Sequence, residues 1–169
     1  MKVVHRKGLG FIVVFTISLL SSFSWGGSYK GLVEREGVYF EKFSDIPYTG
    51  DYSGPLELET GSFVNGKPHG LWVRYYQNGQ LRYKGEYQDG KRSGNWVFRY
   101  ETGDLMFKGG FKEGVKEGIW KYFTEEGRLF REGKYKDGKK EGVWVTYTKT
   151  GKPYPPMTGI YSQGVKVSD

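Results

Sequence analysis

The chain has 169 residues, with 26 Lys and Arg against 19 Asp and Glu, a net charge of +7 and no cysteine. The lack of cysteine excludes disulfides, thiol catalysis and a lipid attached to a cleavage-site cysteine. Three basic residues, Lys2, Arg6 and Lys7, belong to the N-terminal segment, and without them the charge falls to +4. A surplus this small favours solubility, and we expect no nucleic-acid partner.

Residues 1–24 are typical of a secretory signal peptide. A basic start is followed by an apolar stretch from Gly8 to Leu20, and Ser22 and Ser24 place small residues where a signal peptidase cleaves. We therefore expect cleavage before Trp25 and export to the periplasm or beyond. The alternative is an uncleaved inner-membrane anchor, because residues 8–29 carry no charge and about 20 residues can span a bilayer.

Residues 25–61 are expected to form an N-terminal cap and a connector. Residues 32–50 are consistent with an atypical hairpin, whereas residues 53–60 fit no repeat and are a connector or an extra strand. A cap is needed because an open sheet edge invites pairing between chains.

The segment 62–161 repeats with a fixed period. Four tryptophans stand 24 residues apart and are embedded in the same pattern of glycines: Trp72, Trp96, Trp120 and Trp144. A fixed period of this length indicates one supersecondary unit copied in tandem. The four copies are about 62–87, 88–111, 112–135 and 136–161, and residues 162–169 are left as a C-terminal tail.

Each copy is predicted to be a β-hairpin. In the second copy, residues 88–94 are polar and bracketed by glycines, which indicates a loop, and residues 95–100 then alternate aromatic and other side chains. A short turn containing Gly103 precedes a second strand, residues 105–111. The first copy has Asn78-Gly79 in that turn, a pair favoured in tight hairpins. No helix fits, because glycine recurs too often.

Glycines inside strands need a reason, since glycine weakens a strand unless something requires the space. We predict that a neighbouring tryptophan lies across each of Gly85, Gly109 and Gly133. A single hairpin is marginal in water, so the copies must pair side by side. The expected fold is all-β, an elongated single-layer antiparallel sheet of about ten strands. Pro153, Pro155 and Pro156 would blunt its last edge.

The glycine and tryptophan pattern resembles the MORN repeat, in the variant form with a tryptophan after the second loop glycine. In the first copy the pattern runs Gly66, Gly70-Leu71-Trp72, Gly79-Gln80-Leu81 and Gly85-Glu86-Tyr87. The fourth copy departs from it, with Pro153 in place of leucine and Gly159 two residues late. The lead-in over 32–50 is similar to bacterial proteins described as YwqK-type antitoxins. The resemblance implies repeated hairpins and an interaction role, and it implies no catalytic residues.

The residues give no sign of catalysis or of a bound cofactor. His69 is the one histidine outside the signal segment, and no paired group for acid–base chemistry is identifiable beside it. One histidine cannot make a zinc site, and the acidic residues before turn glycines have no calcium-loop spacing. We therefore expect no enzyme activity, no metal site and no cofactor.

Two features could carry binding. Basic residues in the loops are predicted to line one long edge, namely Lys67, Lys91, Arg92, Lys116, Lys139 and Lys140. The simpler interpretation is a solvated edge, because acidic residues share these loops and charges one Debye length apart act nearly independently. Aromatic residues also exceed what one layer can easily hide, which suits either cross-strand packing or contact with a partner.

The leading hypothesis is an exported, non-catalytic repeat scaffold that binds another protein in the cell envelope. A second is a module that binds an envelope glycan or an anionic lipid through its aromatic face and basic edge. A third is an antitoxin-like protein that neutralises a toxin by binding it, and the N-terminal segment argues against this for a cytoplasmic toxin.

Overall fold

The computed structural model describes residues 31–168, so the predicted signal peptide and its cleavage site lie outside the described residues. The described chain is almost entirely β-structure, as expected. Its strands are β1 (Leu32–Arg35), β2 (Val38–Glu41), β3 (Gly50–Ser53), β4 (Glu59–Val64), β5 (Lys67–Tyr75), β6 (Leu81–Gln88), β7 (Lys91–Arg99), β8 (Leu105–Lys112), β9 (Val115–Phe123), β10 (Leu129–Lys136), β11 (Lys139–Thr146), β12 (Gly159–Ser162) and β13 (Val165–Ser168).

Strands β3 to β13 form one antiparallel sheet in which every strand pairs with its neighbours in the sequence. The predicted continuous sheet of consecutive hairpins is therefore confirmed. Among residues 31–168 the only helical elements are two short 3-10 turns, Pro55–Glu57 and Pro155–Met157. No helix in this range is long and apolar enough to cross a membrane.

The connections between strands differ at the two edges of the sheet. At the end that we call the turn edge, two residues connect the strands, as in Asp89-Gly90, where both φ angles are positive at 51° and 83°. Glycine adopts this conformation without strain, and the primed turn it forms matches the twist of the strands. The turn is also tied to the preceding copy, because the Gly90 amide donates to the Pro68 carbonyl at 2.9 Å.

At the opposite end, the loop edge, a longer loop connects the strands. The Tyr76 amide donates to the Gln80 carbonyl at 2.8 Å, and the Gly79 amide donates back to the Tyr76 carbonyl at 3.0 Å. The Asn-Gly pair therefore does not form the tight two-residue turn that the sequence suggested. The predicted loop 88–94 is also shorter than expected, because β7 already begins at Lys91.

The N-terminal hairpin β1–β2 is a separate two-stranded sheet that contacts the main sheet at the turn between β4 and β5. The Tyr39 amide donates to the Gly66 carbonyl at 2.8 Å, and the Tyr39 ring lies 4.7 Å from the ring of Phe63. Phe63 is almost completely buried, because Tyr48, Tyr52 and Trp72 also pack on it. The capping role of this hairpin stays a prediction, and residues 53–60 supply the end of β3, a 3-10 turn and the start of β4.

The C-terminal end differs from the expectation. The prolines at 153, 155 and 156 lie in the connection between β11 and β12, with Pro155–Met157 forming a 3-10 turn, so they do not blunt the last edge. The sheet resumes at Gly159, and the segment 162–169, expected to be a tail, supplies β13. Proline has a fixed φ, which loops tolerate, but it lacks the N–H that a paired strand position uses. The prolines therefore lengthen the connection before β12, and strand pairing continues after it.

Candidate functional site

Each repeat is built around one indole ring lying on one glycine. A Cβ atom placed on Gly85 would lie only 2.1 Å from Cδ2 of Trp96, so the ring occupies the space that a side chain would fill. The Trp96 indole N–H donates to the Glu86 carbonyl, the next residue of that strand, at 3.1 Å. The same geometry recurs at Gly61 with Trp72, Gly109 with Trp120 and Gly133 with Trp144.

These tryptophans organise one side of the sheet, the aromatic face. Trp96, Trp120 and Trp144 are completely buried, although the sheet has a single layer. Neighbouring rings cover them, as where Phe98 lies 5.7 Å from Trp96 and 4.4 Å from Phe107. Cross-strand aromatic pairs of this kind stabilise a sheet directly. The aromatic surplus is therefore mainly a one-sided core.

The six predicted basic residues fall into two groups rather than one edge. Arg92, Lys116 and Lys140 are each the second residue of their strands and extend over the aromatic face. The Lys116 ammonium lies 4.3 Å from the Trp120 ring centroid and donates to the Tyr122 hydroxyl at 3.0 Å. Partial burial lowers the pKa of Lys116, and burial followed by the charge of Arg131 lowers that of Lys140.

The remaining three basic residues, Lys67, Lys91 and Lys139, do lie along the turn edge. Their stems pack on the glycine of the next turn, as where Lys91 Cβ lies 3.7 Å from the Cβ position of Gly114. Lys91 also forms an exposed ion pair of 3.1 Å with Glu113. Val115 takes the equivalent place in the third copy, so the row of charges is interrupted there.

The side of the sheet opposite the tryptophans, the open face, carries aliphatic residues and lysines together with a few other polar residues such as Glu86, Asn95 and Glu132. Side chains alternate along a strand, so the residues that flank each tryptophan face this side. Leu71, Ile119 and Val143, each directly before a tryptophan, are 50%, 58% and 62% exposed. The cross-strand row beside them contains Val73, Lys84, Val97, Lys108, Lys121, Glu132 and Val145.

The middle of the open face is slightly concave. A depression of about 350 Å³ lies between Asn95, Val97, Lys108, Ile119 and Lys121, with Trp96 and Gly109 also in its lining. Lys121 is held by an ion pair of 2.9 Å with Glu132, which also lowers the pKa of Glu132. The surface thus combines exposed apolar groups with a fixed charge pair and further lysines.

His69 lies near the turn edge and is half-exposed. Its Nδ1 atom is 3.9 Å from an Asp89 carboxylate oxygen, too far for a hydrogen bond. Across residues 31–168, no three His, Asp or Glu side chains are grouped so that they could hold a metal ion. The more enclosed polar cluster joins the Tyr83 hydroxyl to the carboxylate of Glu59, and burial followed by this hydrogen bond raises the pKa of Tyr83.

Comparison with known proteins agrees with this repeat geometry. The model of the MORN repeat variant family matches residues 68–89 and 116–137. These two segments are MORN-variant repeats. The first match covers β5, with its tryptophan, and β6, and the second covers the equivalent strands β9 and β10 of the third copy. Repeats of this kind generally serve interaction with proteins or membranes. No curated protein matches the chain.

The sequence pattern led to the tryptophans and strand glycines but missed the open face. Gly61, the glycine under Trp72, was missed because it lies just before the first predicted copy, which begins at about residue 62. The open-face residues had a visible signal, since Leu71, Ile119 and Val143 occupy the same position of three copies. That signal could be interpreted only once the indoles were known to face the other side.

Proposed function

We propose that this protein is an exported, non-catalytic scaffold that binds another protein of the cell envelope through the open face of its sheet. The observation that carries the proposal is the row of half-exposed aliphatic side chains, Leu71, Ile119 and Val143, spaced along a rigid sheet. Asn95 interrupts the row in the second copy, whereas Val143 has the exposed Ile160 beside it on the neighbouring strand. Apolar groups gathered on one face in this way mark sites of interaction.

The open face suits a protein better than a sugar or a lipid. Its aliphatic groups are small and set among lysines, so they favour a partner surface that is apolar with acidic residues around it. The aromatic rings that would stack on a glycan are instead packed together, and Arg92 and Lys116 lie over those rings. A glycan or an anionic lipid bound to the aromatic face would have to displace these cations first.

Export is part of the proposal and rests on the basic start, the apolar stretch and the small residues of 1–24. The same binding surface could serve an antitoxin-like role. An exported protein cannot easily reach a cytoplasmic toxin, so localisation separates the two functions. Cell fractionation with N-terminal sequencing of the mature protein should find cleavage before Trp25, and an uncleaved soluble cytoplasmic form would overturn the export proposal.

The binding proposal is tested with matched acidic substitutions. Ile119→Glu and Val143→Glu place charge on the open face, whereas Val115→Glu makes the same kind of change at the turn edge, where Val115 is 45% exposed. In capture from envelope extracts, the two open-face variants should lose the specific partner, and Val115→Glu should keep it. Equal capture by all three folded variants would contradict a role for the open face.

A further inference from the structure

The loop edge contains a repeated internal contact between successive copies. In the first two copies, the residue that begins the loop contacts the next copy. In the first copy the Tyr76 hydroxyl donates to the Arg99 carbonyl at 2.8 Å, and in the second the Tyr100 hydroxyl donates to the Phe123 carbonyl at 3.0 Å. A tyrosine ring therefore fills the gap between loops in both places.

The third gap lacks this ring. Thr124 occupies the position of Tyr76 and Tyr100, and its side chain is too short to reach the equivalent carbonyl, that of Tyr147. Its hydroxyl instead accepts from the Arg128 amide at 3.3 Å, within its own loop. A cavity of about 440 Å³ lies here, and its lining includes Tyr100, Thr124, Arg128, Phe130, Tyr147 and Lys149. We call this cavity the slot.

The walls of the slot are held in place. Arg128 spans it by donating to the Lys149 carbonyl at 2.7 Å, which joins the third loop to the fourth. The Tyr147 hydroxyl donates to Glu132 at 2.7 Å, so one wall is anchored to the open face. The space is therefore set by contacts on both sides, and a pocket formed in advance binds with less loss of conformational entropy.

The lining suits an aromatic ring. Phe130 corresponds to Arg82 of the first copy, whose guanidinium lies 5.4 Å from the centroid of the Tyr76 ring, so residue 130 is placed to contact a ring in the slot. Tyr100 and Tyr147 provide further aromatic surface, and Phe130 is 37% exposed. A volume of this size falls within the range of about 300–1,000 Å³ typical of ligand sites.

We propose that the slot receives a tyrosine side chain of the protein partner, whose hydroxyl donates to the Tyr147 carbonyl as Tyr76 and Tyr100 do to their own acceptors. The proposal rests on the proposed function, because the slot continues the open face through Tyr147 and Glu132. Buried aromatic anchors commonly carry much of the binding energy of an interface. The chain's own tyrosines supply the template for the geometry.

The test uses N-acetyl-tyrosinamide as the probe and the mature protein, observed by NMR. Saturable shifts should appear at amides of residues 124–130 and 147–149, with N-acetyl-leucinamide at least tenfold weaker. Thr124→Tyr supplies the missing ring and should weaken the probe at least tenfold while raising the melting temperature. Thr124→Val, which keeps the slot open, should stay within twofold of the parent.

Three results would overturn the slot proposal: no saturable shifts in the folded parent, unchanged probe affinity in folded Thr124→Tyr, or saturation of the same amides by N-acetylglucosamine oligomers in preference to the tyrosine probe. Capture of the partner separates this proposal from the previous one. If Thr124→Tyr retains full partner affinity while Val143→Glu loses it, the open face stands and the slot proposal fails.

Discussion

Gly109 gives the sharpest test of how a single-layer sheet can be stable. A Cβ atom at this position would lie 2.3 Å from Cδ2 and 2.4 Å from Cε2 of Trp120, well inside the 3.0 Å that real Cβ atoms keep. The ring has little room to retreat. It is fully buried, its N–H donates to the Gly110 carbonyl at 3.1 Å, and its centroid lies 5.1 Å from that of Phe111.

The expected effect of Gly109→Ala follows from these contacts. Forcing an extra methyl group into tight packing destabilises by about 1–3 kcal/mol. Weakening the indole hydrogen bond adds about 1 kcal/mol. The reduced entropy of the unfolded chain offsets about 0.4–1 kcal/mol. The free energy of unfolding should therefore fall by about 1–3.5 kcal/mol, which at about 2–4 °C per kcal/mol lowers the melting temperature by about 2–14 °C for a chain of this size.

Thermal unfolding followed by circular dichroism measures this directly. Gly31→Ala is the control, because a Cβ at Gly31 would have nothing within 4 Å. Combining Gly109→Ala with Trp120→Leu removes the clashing ring, so the alanine should then cost little, and the two changes should show a coupling above about 1 kcal/mol. A melting temperature for Gly109→Ala within 1 °C of the parent would refute the reasoning.

Two further predictions concern the turn edge and the aromatic face. Glu113 has a φ of 50°, a region that asparagine tolerates better than glutamate, so Glu113→Asn should raise the melting temperature slightly in the same assay; a decrease would contradict the turn argument. Burial, followed by the hydrogen bond to Tyr135, raises the pKa of Tyr122 above its usual 10, so the folded state keeps a proton that the unfolded state loses. Stability should therefore fall as the pH rises above 10, and Tyr122→Phe should make that fall shallower in denaturant titrations; an unchanged slope would count against it.

The architecture could be predicted from the sequence because the 24-residue register is strict at the positions that pack. Trp96 and Gly85 must recur together, since the indole ring occupies the space that a side chain at position 85 would fill. The loop predicted over 88–94 is too long, because Lys91 and Arg92 are polar but belong to β7. Their side chains lie along the turn edge and over aromatic rings, so polarity at these positions does not signal a loop.

The candidate binding surface was harder to predict for a physical reason. The six basic residues do not form one row, because successive residues of a strand face opposite sides of the sheet. The sequence pattern places the start of each strand too late to show this, since β7 begins at Lys91. The slot depends on a threonine at position 124 where two earlier copies have tyrosine. That difference is visible in the sequence, but its consequence depends on where the rings of Phe130 and Tyr147 lie.

The most direct test of the scaffold is photo-crosslinking in the living cell. A p-benzoyl-phenylalanine residue is introduced at Ile119 or Val143 on the open face and, as the control, at Val115 on the turn edge. The two open-face positions should each crosslink the same discrete envelope protein, and the turn-edge position should not. Crosslinks that are absent from Ile119 and Val143, or equally strong from Val115, would contradict a protein-binding open face.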